Sequence, residues 1–237
     1  MIQGNGLRSA YSATLARIKA QNGSKARLGM EVLMWLSHSE EPLNTNELCD
    51  ALGVEIGSTD LNSQNIPTIE TLLGCSLGLA IVEASSYTVR LVHYTLQEYL
   101  SNNTDLFHSP HSMIAEVCLT YLNFESVRDL PLPCDSNSSA GPLLQYASRY
   151  WGRHARREIT ESVNALALRL LDGFDKHVSS GILLSGIYSE WGYDDGGEWS
   201  GFYYSDDDDC RYDGWKYERI PMKSTWFTGL HAAAYFC

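Results

Sequence analysis

The sequence has no lysine or arginine between Leu28 and Val89, although the same stretch holds nine acidic residues and the whole chain carries a formal net charge of -12 at pH 7. The nine acids are Glu31, Glu40, Glu41, Glu47, Asp50, Glu55, Asp60, Glu70 and Glu83. Proteins that read duplex DNA neutralise several phosphates with lysine and arginine. An acidic surface of this kind repels nucleic acid, so we expect no nucleic-acid partner.

Cysteine is present, but never in the paired spacing of a metal cluster. The six cysteines form no C-x-x-C pair and no compact framework, which excludes the usual zinc cluster and a small domain held by disulfides. They are Cys49, Cys75, Cys118, Cys134, Cys210 and Cys237. We therefore expect reduced thiols, as in a cytoplasmic protein.

Long apolar runs are missing as well. The longest, LLGCSLGLAIV at residues 72–82, has about half the length of a membrane-spanning helix. The amino-terminal MIQGNGLRSAYS lacks the apolar centre of a secretion signal. We expect no membrane partner and a cytoplasmic location. The hydrophobic content of 44% is sufficient for a globular core.

Helical patterns dominate the first 75 residues. Apolar residues at helical spacing predict helices over residues 11–18 and 28–36. Asn44 and Glu47 have the spacing of a capping box, which starts a further helix that stops at Gly53. Another helix is expected to begin with Pro67 at its first position.

A hairpin pattern follows these helices. The runs LAIVEA and TVRLVHY are typical of strands, and Ser85 and Ser86 lie between them as a turn. Three helices followed by a hairpin is the order of a winged helix. After Thr95 the chain returns to helical patterns, in TLQEYLSN, HSMIAEVCLTYLNFESV, LLQYASRYWGRHARRE and ESVNALALRLLDGFDKHV. We therefore predict a mainly α fold in which a winged helix precedes a helical array.

Four stretches carry a family resemblance through their order: PLNTNELCDALGVEIG, IPTIETLLGCSLGLAIVE, VRLVHYTLQEYL and MIAEVCLTYLNF. Together they resemble the region after the nucleotide-binding NACHT module in fungal STAND proteins, which are NLR-like relatives of immune receptors. The winged helix of that region is named after GPI inositol-deacylase. The closing TGLHAAAYF resembles the ankyrin-repeat signature T-P-L-H-x-A, with Gly229 in place of proline.

Composition, helix and strand patterns and the resemblance together divide the chain into five segments, of which the acidic loop falls outside the resemblance. An N-terminal helix and linker covers residues 1–23, the winged helix 24–103 and the helical array 104–185. An acidic, aromatic-rich loop covers residues 186–218, where ten acidic and ten aromatic side chains accompany two basic ones. Residues 219–237 are the start of an ankyrin repeat. Because the ankyrin array stops within its first repeat, we expect a fragment or a truncated gene product. No P-loop G-x-x-x-x-G-K-[ST] occurs, so we expect no nucleotide cofactor.

The stretch VRLVHYTLQEYL changes from strand to helix periodicity near His93. A histidine at this point can bond the backbone of the next helix, and Thr95 can cap that helix. We therefore predict a structural joint formed by His93, Thr95 and Glu98. The alternative, with His93 as a base oriented by Glu98, lacks a third convergent group.

GCSLG, residues 74–78, matches the nucleophile motif G-x-S-x-G. The motif requires a strand, a turn and then a helix, whereas Ser76 follows a helical pattern and precedes a strand. We therefore expect no catalytic residue and no enzyme, and keep a serine hydrolase that uses Ser76 as an alternative.

Histidines and acids at two places invite a metal, but each set has too few ligands. His108 and His111 flank Pro110 and are expected in a turn that starts a helix. His154 and Glu158 have i,i+4 spacing and are expected to form an exposed ion pair. The run DDDDCRYDGWKYE fails as a calcium loop at its third and twelfth positions. We expect no metal and no cofactor.

Arg149, Arg153 and Arg156 recur at helical spacing beside Arg157. This stripe could receive phosphate, an acidic partner or the acidic run 206–209, although exposed basic helix faces are commonly just solvated. The winged helix, the helical array and the resemblance lead us to expect a non-catalytic regulatory and scaffold module of a STAND-type receptor. Its partners would be protein surfaces: an upstream NACHT module and downstream ankyrin repeats. A winged-helix DNA-binding regulator is the first alternative and the serine hydrolase the second.

Overall fold

The computed structural model describes residues 3–130 and 141–183. The acidic loop 186–218, the ankyrin-like end and most of the linker predicted at residues 129–142 lie outside the described residues. The first helices are α1 (Gln3–Lys19), α2 (Gly23–His38), α3 (Thr45–Gly53) and α4 (Ile69–Cys75), with a 3-10 turn at Ser63–Asn65. A hairpin of β1 (Ala80–Glu83) and β2 (Thr88–Leu91) follows.

Local capping chemistry sets where α3 and α4 begin. The Asn44 side chain accepts hydrogen bonds from the backbone of Asn46 and Glu47, and the Glu47 carboxylate accepts from Asn44 N at 2.8 Å, so the predicted capping box is confirmed. Helix α4 starts after Thr68, whose hydroxyl accepts from Thr71 N. The prediction that Pro67 is the first helical residue is therefore wrong, because α4 begins at Ile69. Threonine offers the oxygen that a helix start needs, so it displaces proline from the boundary.

An isolated β-bridge between Asn44 and Thr88, which the sequence pattern did not indicate, adds to the two-stranded wing. Strands β1 and β2 pair antiparallel, with Ala80 opposite Leu91 and Glu83 opposite Thr88. On the other edge of β2, Val89 N donates to Leu43 O at 2.9 Å and Thr45 N donates to Tyr87 O at 3.0 Å. The backbone just before α3 thus completes the wing and ties it to the helices.

The second half of the chain is helical. It contains α5 (Tyr94–Asn102), a 3-10 turn at Thr104–Leu106, α6 (Pro110–Leu122), α7 (Glu125–Arg128), α8 (Leu144–Arg157), α9 (Glu161–Leu171), a 3-10 turn at Phe174–Lys176 and a final helical stretch at residues 178–183. Two helical patterns are interrupted. The first breaks at Asn123, whose side-chain amide donates to Leu119 O and Leu166 O. The second breaks at Gly173, whose φ of 85° ends the helical path.

Helix α2 is the element that the two halves share. Its Leu33 packs into a core with α1, α5 and the wing, formed by Tyr11, Leu15, Ile18, Leu33, Leu79, Leu91, Leu96 and Leu100. Its Val32, Met34 and Trp35 belong to a second core, which continues through α3 and α4 into α6, α8 and α9. The predicted fold class, a winged helix followed by helices, is confirmed. The two parts are joined by a continuous apolar core.

Candidate functional site

A polar network lies where the end of α2 meets α6 and α8. We call this contact between residues 37–41 and the two helices the junction. Its apolar floor is the indole of Trp35, which meets the ring of Tyr146 edge-on, with 5.8 Å between ring centroids. Both side chains are buried. Helix α8 is strongly amphipathic, and its positions 146, 150 and 154 recur every four residues, so one face carries the ring side chains that reach the end of α2.

A chain of hydrogen bonds crosses the junction from the backbone of Glu40 to His111. Glu40 N donates to the Tyr146 hydroxyl at 3.1 Å, and this hydroxyl bonds His154 Nε2 at 2.9 Å. The other ring nitrogen of His154, Nδ1, lies 2.9 Å from His111 Nδ1. Because two nitrogens at this separation share one hydrogen, one ring donates and the other accepts. His154 is completely buried and bonded through both ring nitrogens.

The junction strongly favours neutral imidazoles. Burial, and after it the neighbouring His111, Arg157 and His38, lower the pKa of His154 to about 3. Burial and the positive charge of Arg157 likewise lower the pKa of His111. Burial also raises the pKa of the Tyr146 hydroxyl. The side chains of Tyr146, His154 and His111 are therefore uncharged over the neutral pH range.

His38 closes the α2 side of the network. Its Nδ1 donates to Met34 O at 3.1 Å and lies 2.8 Å from the Ser37 hydroxyl. Its ring stands edge-on to Phe107 and to His111, with centroid distances of 5.5 and 5.4 Å. Burial lowers the pKa of His38 as well. Three histidines from three helices or their ends thus meet in one partly enclosed space.

Charged groups surround this buried chain. Arg157 forms an ion pair with Glu40, and the Tyr150 hydroxyl donates to Glu41 Oε2 at 3.0 Å. The guanidinium of Arg153 lies over the Tyr150 ring, 5.4 Å from its centroid. Burial and the hydrogen bond to Glu41 raise the pKa of Tyr150 to about 12.

The sequence prediction of an exposed ion pair between His154 and Glu158 is wrong. His154 is buried against Tyr146 and His111, and the Glu158 carboxylate accepts a hydrogen bond from Ser112 N at 3.1 Å, at the start of α6. Positions four apart share a helix face, but α8 ends at Arg157, so Glu158 lies beyond the helical geometry that the spacing assumes. His111 follows Pro110, which is the first residue of α6, as expected.

A second link joins α3 to the start of α8. Asp50, in α3, is buried and its carboxylate accepts a hydrogen bond from the backbone of Leu143, although burial still raises the pKa of Asp50. The Tyr121 side chain of α6 is bonded to the backbone of the adjacent Gly141. Helix α8 is therefore attached to the first half of the chain at both of its ends.

The four arginines predicted as an interaction stripe lie on α8 but in different environments. Arg149 and Arg153 are half-buried, and Arg156 and Arg157 are exposed. Arg157 is engaged with Glu40, and Arg153 lies over Tyr150. Arg149 and Arg153 also lie close enough to Tyr150 to lower its pKa, against the dominant effects that raise it. An interaction with phosphate or an acidic partner stays a prediction.

The predicted joint at the start of α5 is formed by two of its three residues. His93 is the N-cap, and its Nδ1 accepts from Thr95 N at 3.2 Å. The Thr95 hydroxyl lies 2.8 Å from the same nitrogen and 2.7 Å from the Tyr11 hydroxyl of α1. The cap of α5 is therefore His93, whereas the sequence had suggested Thr95. Glu98 is exposed on α5, and its side chain takes no part in these bonds.

Replacing His93 by alanine should lower the free energy of unfolding by about 1 kcal/mol, because the first turn of α5 loses its cap. The cost is modest because His93 is exposed and water can reach the freed amide. His93→Asn is the matched control, since asparagine is a preferred cap and should retain most of the stability. Urea unfolding of both variants measures the difference. A loss of the same size in His93→Asn would contradict the capping role.

Ser76 lies in a local order opposite to that of a hydrolase nucleophile. It ends α4 and is followed by Leu77 and Gly78 at positive φ, and then by β1. The side chain is buried, and its hydroxyl donates to Leu73 O at 2.8 Å. The nucleophile motif requires an exposed serine between a strand and a helix.

Two kinds of site are absent from residues 3–130 and 141–183. In these stretches no three histidine, cysteine or acidic side chains converge as they would around a metal ion. None of the helices described there combines the length and apolarity that crossing a membrane requires. On α4, the helix that a DNA reader would present, the exposed residues are Glu70, Thr71 and Gly74.

The architecture defines the class of this region: it is a winged helix that continues into a helical segment. Residues 15–114 match the family described as "GPI inositol-deacylase, winged helix domain". The match runs from the second half of α1 into the start of α6, so it includes the wing and His111 but not α8. Comparison with curated proteins and with solved structures gave no match.

Sequence reasoning missed the buried chain of Tyr146, His154 and His111. One signal was available, because Tyr146, Tyr150 and His154 follow one another at intervals of four and so share a face of α8. That spacing predicts a common face. It does not predict that His111, 43 residues earlier than His154, lies opposite.

Proposed function

We propose that the chain is a non-catalytic regulatory and scaffold module of a STAND-type receptor. In this role it makes protein contacts between a nucleotide-binding switch and a sensor. The observation that carries the proposal is the junction, which joins the winged helix to the helical segment through a continuous core and a buried hydrogen-bond chain. A module that relays the state of one neighbour to another needs such a stiff connection between the surfaces that each neighbour contacts.

The family match to residues 15–114 supports the proposal for the winged helix. The resemblance of the ordered motifs adds the finer statements, namely an upstream NACHT module, downstream ankyrin repeats and a cytoplasmic location. The hydrolase in the family's name describes another part of the proteins that carry this winged helix, and a fold does not transfer an activity. The partners of the chain are therefore proposed to be protein surfaces.

A DNA-binding role is disfavoured by the charge of the winged helix. Each phosphate contact in a DNA complex usually uses a lysine or arginine, and residues 28–89 contain neither. Arg90 on β2 is ion-paired with Glu83. A hydrolase role is disfavoured by the burial of Ser76 and by its hydrogen bond to Leu73 O.

The reading frames that flank the chain give the first test. The proposal expects a P-loop upstream and ankyrin repeats downstream, and a gene that encodes neither would contradict it. Where a P-loop is present, the upstream module and this whole chain can be purified separately and mixed, with the affinity measured in ADP and in a non-hydrolysable ATP analogue. We expect an affinity difference of at least about fivefold between the two nucleotides, the lower end of typical coupling between sites.

Three other results, from the affinity measurement, an esterase assay and a DNA-binding assay, would count against the proposal. Equal affinity in both nucleotides would remove the regulatory role. Cleavage of p-nitrophenyl butyrate that is lost in Ser76→Ala would establish the hydrolase. A shift of labelled duplex DNA that weakens steeply with salt would establish the DNA-binding regulator.

A further inference from the structure

The histidine chain gives the junction a property that its apolar core does not have. His111 and His154 face each other through Nδ1 atoms 2.9 Å apart, with ring centroids separated by 5.1 Å. A single hydrogen occupies the space between the nitrogens. If both Nδ1 atoms are protonated, two N–H groups point at each other and the hydrogen bond is lost. The contact therefore exists only while at least one of the two rings is an acceptor at that position.

Every element packed around the two rings contributes ionisable groups. They are His38, Glu40 and Glu41 at the end of α2, Cys118 on α6, Tyr146, Tyr150, Arg153 and Arg157 on α8, and Glu158 after it. Arg157 and His38 oppose any further positive charge. Glu40 is paired with Arg157, Glu41 accepts from Tyr150, and Glu158 accepts from Ser112 N. In the described residues no carboxylate is hydrogen-bonded to His111 or His154, so a proton taken up by either ring has no bonded counter-charge.

We propose that the junction is an acid-sensitive contact, in which proton uptake by His111 and His154 breaks the bond between α6 and α8 and loosens the end of α2, residues 37–41, that packs against both helices. The property rests on the geometry of the junction and goes beyond the proposed function, since it holds whichever proteins the module contacts.

The release is confined by the bonds around the junction. Ser37 O accepts from the Gln97 side chain of α5 at 2.6 Å, so the end of α2 stays attached to the winged helix when its link to α8 is lost. Trp35 and the apolar core beneath remain in place, because none of their side chains changes charge between pH 7.5 and 5. Protonation therefore opens the polar side of the contact, around Glu40, His111 and the last turn of α8, while its apolar side stays closed.

The direction of the pH dependence follows from the environment of the rings. Both histidines have folded-state pKa values below the ordinary value of 6.5, and His154 has one of about 3. Their contribution to the closed junction is thus fully present above pH 6.5 and is lost progressively as the pH falls from 6.5 towards 3. For each proton taken up on opening, the equilibrium constant for opening rises about tenfold for each pH unit below 6.5. It is therefore about 30-fold higher at pH 5 than at pH 6.5.

Hydrogen exchange of the whole chain, analysed by mass spectrometry between pH 7.5 and 5, tests the proposal. After correction for the intrinsic pH dependence of exchange, we expect peptides over residues 37–44, 110–116 and 146–158 to lose about 30-fold or more of their protection. Peptides over residues 11–18, which pack in the other apolar core, should change much less. Equal losses in all these regions, or no loss in the first three, would overturn the proposal.

The variant His111→Asn supplies the sharper test. Asparagine places an oxygen acceptor near the position of Nδ1 and does not titrate, so the pH dependence of protection in the junction should fall by about one proton. His108→Asn is the matched control, because His108 is exposed three residues away and the same substitution there should leave the slope unchanged. An unaltered slope in His111→Asn would overturn the proposal.

A measurement on the unmodified protein covers the case in which His111→Asn does not fold. The ring nitrogens of labelled histidine report protonation directly in an NMR titration. We expect the signals of His111 and His154 to change in the same pH range as the protection of the junction. Rings that become charged while the junction peptides keep their protection would overturn the proposal.

Discussion

Replacing Tyr146 by phenylalanine should lower the free energy of unfolding by about 2 to 4 kcal/mol, although only one oxygen atom is removed. That oxygen accepts from Glu40 N and bonds His154 Nε2, so its loss leaves two polar groups without their partner. His154 is completely buried, and water cannot replace the lost bond there. The ring of phenylalanine fills the same space against Trp35, so packing changes little.

Tyr150→Phe is the matched control for this prediction. Tyr150 lies one turn further along α8, and its hydroxyl donates one hydrogen bond, to Glu41. The residue is only half-buried. We expect a cost below about 1 kcal/mol, because the freed carboxylate can bind water. Urea unfolding at pH 7.5 measures both variants. Equal costs for Tyr146→Phe and Tyr150→Phe would show that the buried chain contributes no more than a surface bond.

Replacing Gly29 by alanine should destabilise the protein by about 3 kcal/mol, at the upper end for an overpacked core. Gly29 lies on α2 where α1 and the end of α4 cross it. A Cβ atom there would meet Cys75 O at 2.5 Å and Ile18 Cγ2 at 2.8 Å. The carbonyl belongs to the backbone and cannot rotate away, so α2 and α4 would have to separate.

Gly74→Ala provides the opposite expectation on a neighbouring helix. No atom lies within 4 Å of a Cβ at Gly74, and the residue is in α4 without a positive φ. Alanine should stabilise the helix by about 0.5 to 1 kcal/mol through reduced freedom of the unfolded chain. Urea unfolding of the two variants should therefore give effects of opposite sign. A neutral Gly29→Ala would mean that α2 and α4 are further apart than the structure places them.

The two sets of variants test different kinds of contact. Gly29 lies within the winged helix, on the face of α2 towards α1 and α4. Tyr146 lies on the helical segment and reaches the other side of α2. Since α2 contributes to both apolar cores, we expect unfolding of the described residues to be cooperative, with single transitions for both families of variants.

Much of the winged helix was readable from the sequence because its determinants are close neighbours along the chain. The capping pair of Asn44 and Glu47 is three residues apart, and the two strands of the wing are separated by a four-residue turn. Helix periodicity and capping act over one or two turns, so a short window of sequence contains the whole signal. The lack of lysine and arginine in residues 28–89 is likewise a property of sequence, whatever the fold.

The junction was decided by tertiary structure alone. Its bonds join residues 43 and 106 positions apart, His111 to His154 and Glu40 to Tyr146, and no local pattern records which helix faces which. The same reason explains the isolated bridge of Asn44 to the wing, whose partner Thr88 is 44 positions away in β2. The sequence by itself determined the order of the elements and the acidic character of the winged helix. Only packing around α2 decided that His154 is a buried, neutral partner of Tyr146 and not an exposed charge, because burial and hydrogen bonding depend on neighbours that the chain brings together from a distance.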